Sequence, residues 1–115
     1  MADAVVFTAI TREGKGIRLT RKVWTAKLLA SRPEFQQRSE YVEELKAVIE
    51  NPDHVVRGDK GELIALRWCD IAPNRPKYLC VVYRELNGEG FLMTAFFTSR
   101  LRRFLQREMV WQKQR

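Results

Sequence analysis

The second half of this 115-residue chain alternates between short apolar runs and turn-forming residues, and that pattern constrains the fold most. Runs rich in Val, Leu, Tyr and Phe predict strands over 55–57, 62–68, 77–86 and 90–98. Asn87-Gly88 lies between the last two runs and is a strong signal for a tight hairpin. Gly58-Asp59-Lys60-Gly61 predicts a second hairpin between the first two. The sequence therefore predicts roughly four antiparallel strands.

Two helices are predicted before these strands. Thr20 is suited to cap the first helix, and Pro33 bounds it because the residue before a proline is disfavoured in helical geometry. The second helix begins at Ser39 or as early as Pro33, and its apolar residues follow helical spacing at Tyr41, Leu45, Val48 and Ile49. Segregated helices and strands indicate the α+β class. We expect both N-terminal helices on one face of the sheet, the other face open, and a basic C-terminal arm or short helix.

The length and charge of the chain restrict its class. At 115 residues it forms a single domain over 1–115, in which residues 1–19 are a less certain N-terminal extension. Its 21 Lys and Arg outnumber 14 Asp and Glu, and a net charge of +7 favours a polyanionic partner, with solubility as the simpler explanation. No apolar run is long enough for a bilayer, and the acidic N-terminus argues against a secretory leader. A cytoplasmic protein without membrane contact is expected.

Cysteine and histidine usage argues against a metal or other cofactor. Cys69 and Cys80 lie in apolar strands, and they could form a disulfide only if they lay opposite each other. There is one histidine and no Cys-x-x-Cys spacing, so a structural zinc site is not expected. His54 is either a general base or, as its place between a helix and a strand favours, a residue that stabilises the turn.

Polar residues on two strands suggest a phosphate site. Alternation places Arg67 with Leu63 and Ala65 on one face of its strand, and Thr94 with Leu92 and Phe96 on one face of the last strand. If those two faces coincide, Arg67 and Thr94 form a shallow pocket that offers a cation and a hydroxyl donor to phosphate. Otherwise Arg67 is an ordinary solvated residue and Thr94 an ordinary β-branched one.

RNA cleavage without a metal needs a base for the ribose 2′-hydroxyl, donors for the phosphoryl oxygens and an acid for the leaving group. Lysine can contribute if neighbouring positive charge and burial hold it partly neutral. Lys27, close in sequence to Arg21, Lys22 and Arg32, is the candidate. The alternative is that Lys27 is a solubilising residue on a helix surface.

The chain resembles the phage-associated nucleases of the barnase, EndoU, colicin and RelE type from about Leu19 to Trp111. The residues that carry the resemblance are Trp24 to Glu34, Glu50 to Val55, Arg67-Trp68, Lys77 to Val82 and Gly90 to Thr98. The resemblance implies an α+β fold with a four-stranded sheet, metal-independent ribonuclease activity and a role as a toxin or phage-linked effector. In this family a helical histidine and a His-Pro-Glu motif are usual, whereas this chain has Lys27 and Arg32-Pro33-Glu34.

The leading hypothesis is an endoribonuclease that cleaves RNA, with tRNA as one candidate substrate, through attack by the 2′-hydroxyl. Its expected catalytic residues are Lys27, Arg32, Arg67, Thr94 and Thr98, and its expected RNA-binding residues are Lys77, Arg100 and Arg103. The resemblance also implies an acidic antitoxin or immunity protein as partner. The alternative is an inactive RNA-binding module in which Trp68, Tyr83 and Phe96 stack on bases, unless these aromatic residues belong to the core. A protein-interaction domain would show no salt-dependent binding to nucleic acid.

Overall fold

A computed structural model describes residues 4–114, which fold as an α+β domain around one mixed, seven-stranded sheet. The strands are β1 (Val5–Ile10), β2 (Gly16–Thr20), β3 (His54–Arg57), β4 (Leu63–Cys69), β5 (Lys77–Leu86), β6 (Glu89–Thr98) and β7 (Met109–Gln112). Their order across the sheet is β1-β2-β6-β5-β4-β3-β7. The pairing of β2 with β6 is parallel, and the other neighbouring strands are antiparallel.

The helical segments are short. Residues 21–31 are helical, with a π-helix at Val23–Leu29, and they are followed by a 3₁₀ helix at Pro33–Gln36, α1 at Tyr41–Glu50 and α2 at Leu101–Leu105. The cap expected at Thr20 is confirmed, because its Oγ1 accepts the N–H of Val23 at 3.3 Å. The cap expected at Ser39 is wrong: Glu40 precedes α1, and no side chain caps that helix.

The predicted architecture, with two N-terminal helices on a four-stranded antiparallel sheet, is wrong. The segment expected as an N-terminal extension instead builds the β1–β2 hairpin. Residues 1–3 of that extension lie outside the described part of the chain. At the other end, the expected basic arm contains α2 and then β7, which pairs with β3. Both errors have one cause: β1 and β7 carry weak or irregular alternation, so tertiary pairing and not local pattern makes them strands.

The core lies between α1 and the inner face of the sheet, defined as the side that carries Ala65, Leu79 and Val81. Buried residues of α1 pack there, namely Leu45, Val48 and Ile49, together with Leu28 of the π-helix and Phe35 of the 3₁₀ helix. Phe35 also contacts aromatic rings on three sides, from Trp24, Tyr41 and Phe97. This packing buries the centre of the inner face.

The sheet curves around α1 until its two edges approach each other. Near one edge, Glu50 at the end of α1 accepts the N–H of Ile10 in β1 at 2.9 Å. The loop after β1 then reaches β7 at the opposite edge, where the Arg12 guanidinium carbon lies 4.2 Å from the centre of the Trp111 ring. Residues distant in sequence therefore meet beside the C-terminal end of α1.

The outer face of the sheet, defined as the side that carries Ile64, Cys80 and Val82, holds a second and smaller apolar cluster. Leu101 and Phe104 of α2 pack against this cluster. The expectation of a fully open second face is therefore wrong, since α2 covers part of it. Around α2 the outer face remains accessible, and Trp68 is 46% exposed there.

Strand β6 lies between β5 and β2 in the sheet. Its hairpin with β5 confirms the Asn87-Gly88 prediction, since Leu86 pairs with Glu89 and Gly88 takes a positive φ of 74°. On its other side β6 pairs with β2, where Phe91 lies opposite Arg18. Gly90 allows this approach, because a Cβ at that position would lie 3.0 Å from the carbonyl oxygen of Gly16. Beyond Phe91, the edge of β6 is flanked by residues 21–32 and not by another strand.

No helix within residues 4–114 has the length and apolar character needed to cross a membrane.

Candidate nucleic-acid interface

A basic cleft of about 420 Å³ lies on the outer face between the end of β6 and α2. It is lined by Phe96, Thr98, Arg100, Arg103, Phe104, Gln106 and Arg107. We refer to this site as the α2 cleft. Three of the residues predicted from sequence, Thr98, Arg100 and Arg103, meet in it, and its lining contains no carboxylate.

Local geometry fixes the walls of the α2 cleft. The hydroxyl of Thr98 accepts the backbone N–H of Arg100 at 3.0 Å, which turns the chain out of β6 and into α2. Phe104 then packs on Phe96, with ring centres 5.9 Å apart and planes inclined by 35°. Because these apolar residues anchor α2 on the sheet, Arg100 and Arg103 remain exposed at the opening.

The arginines of the α2 cleft differ in their partners. Arg107 donates to Asp59 at 2.6 Å, and this hydrogen bond, with the attraction of the guanidinium, lowers the pKa of the Asp59 carboxyl. Across the described part of the chain, no carboxylate oxygen lies within 4.0 Å of the guanidinium groups of Arg100, Arg102 or Arg103. The α2 cleft therefore has cations available for an external anion.

A row of side chains crosses three strands of the outer face and ends at the α2 cleft. Trp68 on β4 pairs with Tyr78 on β5, which pairs with Thr98 on β6. The rings of Trp68 and Tyr78 contact edge to face, with centres 5.2 Å apart, and the Trp68 indole N–H donates to Asp70 at 3.0 Å. Neighbouring strands are about 4.8 Å apart, so the row extends roughly 10 Å from the exposed indole to the cleft.

Arg32 approaches the same region from the edge of β6. Its Nε donates to the carbonyl oxygen of Ala95 at 3.1 Å, which satisfies a strand carbonyl that β2 does not reach. Its guanidinium carbon lies 5.6 Å from the centre of the Phe96 ring, which also lines the α2 cleft. Arg32 therefore borders the cleft through Phe96.

Arg67 and Thr94 do not share a face of the sheet, so the expected pocket between them is wrong. Arg67 pairs with Leu79, which is a residue of the inner face, whereas Thr94 pairs with Val82, which is a residue of the outer face. The expected alternation is correct in β4, whereas in β6 it is wrong at Leu92, which lies on the inner face because the register shifts between Leu92 and Thr94. Arg67 donates instead to the carbonyl oxygen of Asn51 at the end of α1, at 2.7 Å.

The remaining predicted residues lie apart from the α2 cleft. Lys27 is exposed on the last turn of the π-helix. Lys77 begins β5 and pairs with Cys69, on the inner side of its strand. His54 begins β3, and its Nδ1 is a buried atom with no hydrogen-bond partner among residues 4–114. The expected catalytic set of Lys27, Arg32, Arg67, Thr94 and Thr98 is therefore not one cluster.

The two cysteines and Tyr83 belong to the interior. Cys69 and Cys80 are free, and their pairing partners place them on opposite faces of the sheet. Burial raises the pKa of the Cys69 thiol to about 11 and raises the pKa of Cys80 further. Tyr83 is 4% exposed, with a pKa raised chiefly by burial, so its expected role as a stacking platform is wrong. Phe96 is half-buried, and Trp68 alone of the three expected platforms is well exposed.

Sequence reasoning missed three residues of the α2 cleft, namely Phe104, Gln106 and Arg107. The available signal was the spacing of Leu101, Phe104 and Leu105 in a basic segment, which is typical of an amphipathic turn that presents arginine on its free side. Among residues 4–114, no three His, Cys, Asp or Glu side chains are grouped so as to hold a metal ion.

Comparison of the chain with protein-family models, with curated proteins and with solved structures gives no match. The resemblance to the barnase, EndoU, colicin and RelE type of nuclease therefore stays a prediction.

Proposed function

We propose that this protein binds single-stranded RNA across the aromatic row of the outer face and the α2 cleft. One observation carries the proposal: Trp68, Tyr78 and Thr98 form a continuous cross-strand row that leads to Arg100 and Arg103, which have no carboxylate partner among residues 4–114. An exposed aromatic ring beside a cationic groove is the arrangement by which proteins hold unpaired bases and their backbone. Bases in a duplex are stacked on one another, so a free indole face favours a single strand.

The roles within this interface follow from the side chains. Trp68 offers its exposed ring to a base, and the ring is held in place by its hydrogen bond to Asp70 and its contact with Tyr78. Arg100 and Arg103 present planar guanidinium groups, which suit two oxygens of one phosphate. If Arg100 and Arg103 each neutralise a phosphate, log K falls with log salt at a slope of about −1.4.

Binding without cleavage is the function that these groups support best. Cleavage needs a group that removes the proton of the 2′-hydroxyl, and the α2 cleft is lined by arginine, threonine, glutamine and phenylalanine. Arginine stays protonated in proteins, and an unassisted threonine hydroxyl is a weak base. Lys27, the base expected from sequence, is not among the residues of the α2 cleft.

The test measures fluorescence anisotropy of labelled single-stranded RNA over a series of salt concentrations. We expect the double variant Arg100→Ala/Arg103→Ala to bind at least tenfold more weakly, with a salt slope reduced by about 1.4. The matched control Arg21→Ala/Arg75→Ala removes the same charge from exposed positions outside the cleft. Equal losses in both double variants would mean that net charge alone drives binding.

The ribonuclease prediction is checked on the same preparation. Labelled tRNA and mixed RNA are incubated with the wild type, Lys27→Ala and Arg67→Ala in EDTA, and the products are separated by size. We expect intact RNA in all three. Cleavage that both substitutions abolish would overturn the binding-only proposal and support the metal-independent endoribonuclease.

A further inference from the structure

We propose a second anion site, selective for a phosphomonoester, in a cleft of about 430 Å³ between the end of α1 and β7. Its lining includes three cations, Arg12, Arg67 and Lys113, as well as Asn51, Trp111 and Gln112. We refer to this site as the α1–β7 cleft. It forms where the two edges of the curved sheet meet, so residues far apart in sequence face the same space.

The three cations of this cleft retain free donors. Arg12 lies over the Trp111 ring, a contact that orients the guanidinium, and its N–H groups have no hydrogen-bond partner among residues 4–114. Arg67 uses NH1 for the Asn51 carbonyl, and a guanidinium carries five N–H donors in all. The backbone N–H of Lys113 donates to the carbonyl oxygen of Asp53 at 2.8 Å, which fixes this residue beside the cleft while its side chain stays exposed.

The carboxylates of residues 4–114 do not compensate the positive charge of the α1–β7 cleft. Within residues 4–114, no carboxylate oxygen lies within 4.0 Å of the charged groups of Arg12, Arg67 or Lys113. Of the nearby acids, Glu50 accepts the N–H of Ile10 and Asp53 accepts the N–H of Trp68, and neither lines the cleft. The carbonyl end of α1 contributes about half a negative charge, far less than three cations.

The size and chemistry of the cleft select a small organic phosphate. Ligand sites of about 300 to 1,000 Å³ hold molecules of mononucleotide size. Three cations match the two negative charges of a phosphomonoester better than the single charge of a phosphodiester. The amides of Asn51 and Gln112 can donate to and accept from a base or sugar. The phosphomonoester of a mononucleotide, free or at the 5′ end of an RNA strand, fits these features.

This site is separate from the α2 cleft. Arg67 and Trp111 lie on the inner side of their strands, as their pairing with Leu79 and Val55 requires, whereas the α2 cleft lies on the outer face. No residue lines both clefts. The two proposals can therefore fail independently.

The test is isothermal titration of the full chain with AMP, adenosine and inorganic phosphate, together with thermal melting in AMP. We expect AMP to bind and to raise Tm, phosphate to bind more weakly, and adenosine not to bind. Lys113→Ala should weaken AMP binding about tenfold, since one charge-assisted contact is lost. The matched control Arg75→Ala, an exposed arginine in the turn before β5, should bind AMP like the wild type.

Two further arms separate the sources of the phosphate and the two sites. If the protein prefers 5′-phosphorylated over 5′-hydroxyl RNA and Lys113→Ala loses this preference, the phosphate belongs to an RNA terminus. If both RNAs bind equally and AMP binds, the ligand is a free nucleotide. Arg100→Ala/Arg103→Ala should lose RNA binding and keep AMP binding. The proposal is overturned by no binding of AMP at millimolar concentration, by adenosine binding as tightly as AMP, or by equal losses in Lys113→Ala and Arg75→Ala.

Discussion

The two faces of the sheet differ in what covers them. The inner face is covered by α1, the π-helix and the 3₁₀ helix, and residues such as Phe35 and Leu45 are 1% exposed or less. On the outer face, α2 packs against a smaller apolar cluster, and none of its five residues is fully buried. A buried large apolar side chain stabilises by about 1.5 to 3 kcal/mol, so the inner face supplies most of the folding free energy. The outer face can therefore carry exposed arginine and tryptophan at little cost to stability.

The largest expected effect comes from the inner face. Phe35→Ala should lower the free energy of unfolding by about 3 to 5 kcal/mol, because it removes a ring packed against three other aromatic residues. The free energy of unfolding of a typical domain is about 5 to 15 kcal/mol, so this variant should be close to unfolding. Urea denaturation followed by circular dichroism measures the change.

Phe104→Ala is the matched substitution on the outer face. Phe104 is half-buried against Phe96, so we expect a clearly smaller loss of stability than for Phe35→Ala. RNA affinity should fall, because α2 loses its anchor. Equal destabilisation by the two substitutions would contradict the division of roles between the faces.

The next largest effect concerns RNA binding. Trp68→Ala should weaken binding of single-stranded RNA by about 1 to 3 kcal/mol, which is the range for one base stacked on an aromatic ring. Trp24→Ala is the control, since Trp24 packs against Phe35 on the helix-covered side. A change in affinity for Trp24→Ala as large as that for Trp68→Ala, measured by anisotropy on folded protein, would refute the stacking role.

The smallest expected effect is a gain of affinity. Asp59→Asn removes the carboxylate that holds Arg107 at 2.6 Å, so this arginine becomes available to phosphate. We expect RNA to bind about two- to threefold more tightly at low salt, with the difference screened at high salt. Unchanged or weaker binding would show that Arg107 does not contribute to the interface.

The same ion pair predicts a difference in acid stability. The pKa of Asp59 is below its ordinary value of 3.8 in the folded chain, so its contribution to stability is present above that value. That contribution is lost as the pH falls through the lower pKa of the folded state. Asp59→Asn should therefore lose less stability than the wild type below about pH 4, which acid titration in a fixed urea concentration detects.

Much of the local structure could be predicted from the sequence, because local signals there were strong. The period of α1, the turn at Asn87-Gly88 and the run at 77–86 each predicted the element that forms. The strands β1 and β7 were not predicted, because β1 carries only weak alternation and β7 pairs with β3, which is distant in sequence. The β1–β2 hairpin contacts α1 through the hydrogen bond that Glu50 accepts from Ile10, and β7 pairs with β3.

The candidate site was only partly predictable for a related reason. A period of two residues tells which side chains of one strand share a face, but it does not tell which faces of different strands coincide. That alignment depends on register, and β6 has a register irregularity opposite Val82 and Tyr83, next to Thr94. That irregularity separates Leu92 from Thr94, whereas Arg67 and Thr94 lie apart because their partners on β5, Leu79 and Val82, face opposite sides of the sheet. Thr98, Arg100 and Arg103 stay together because one short segment carries them all.

The closing of the sheet edges has a consequence for biosynthesis. β7 is the last described strand to leave the ribosome, and until it does so β3 has an open edge beside Val55 and Val56. The contact between Arg12 and Trp111 also forms only after β7 has been synthesised. It joins segments about a hundred residues apart, and closing so long a loop is slow because of its entropic cost. A nascent chain halted before residue 109 would thus expose a pairing edge, which makes stalled synthesis the stage at which this protein is most prone to aggregate.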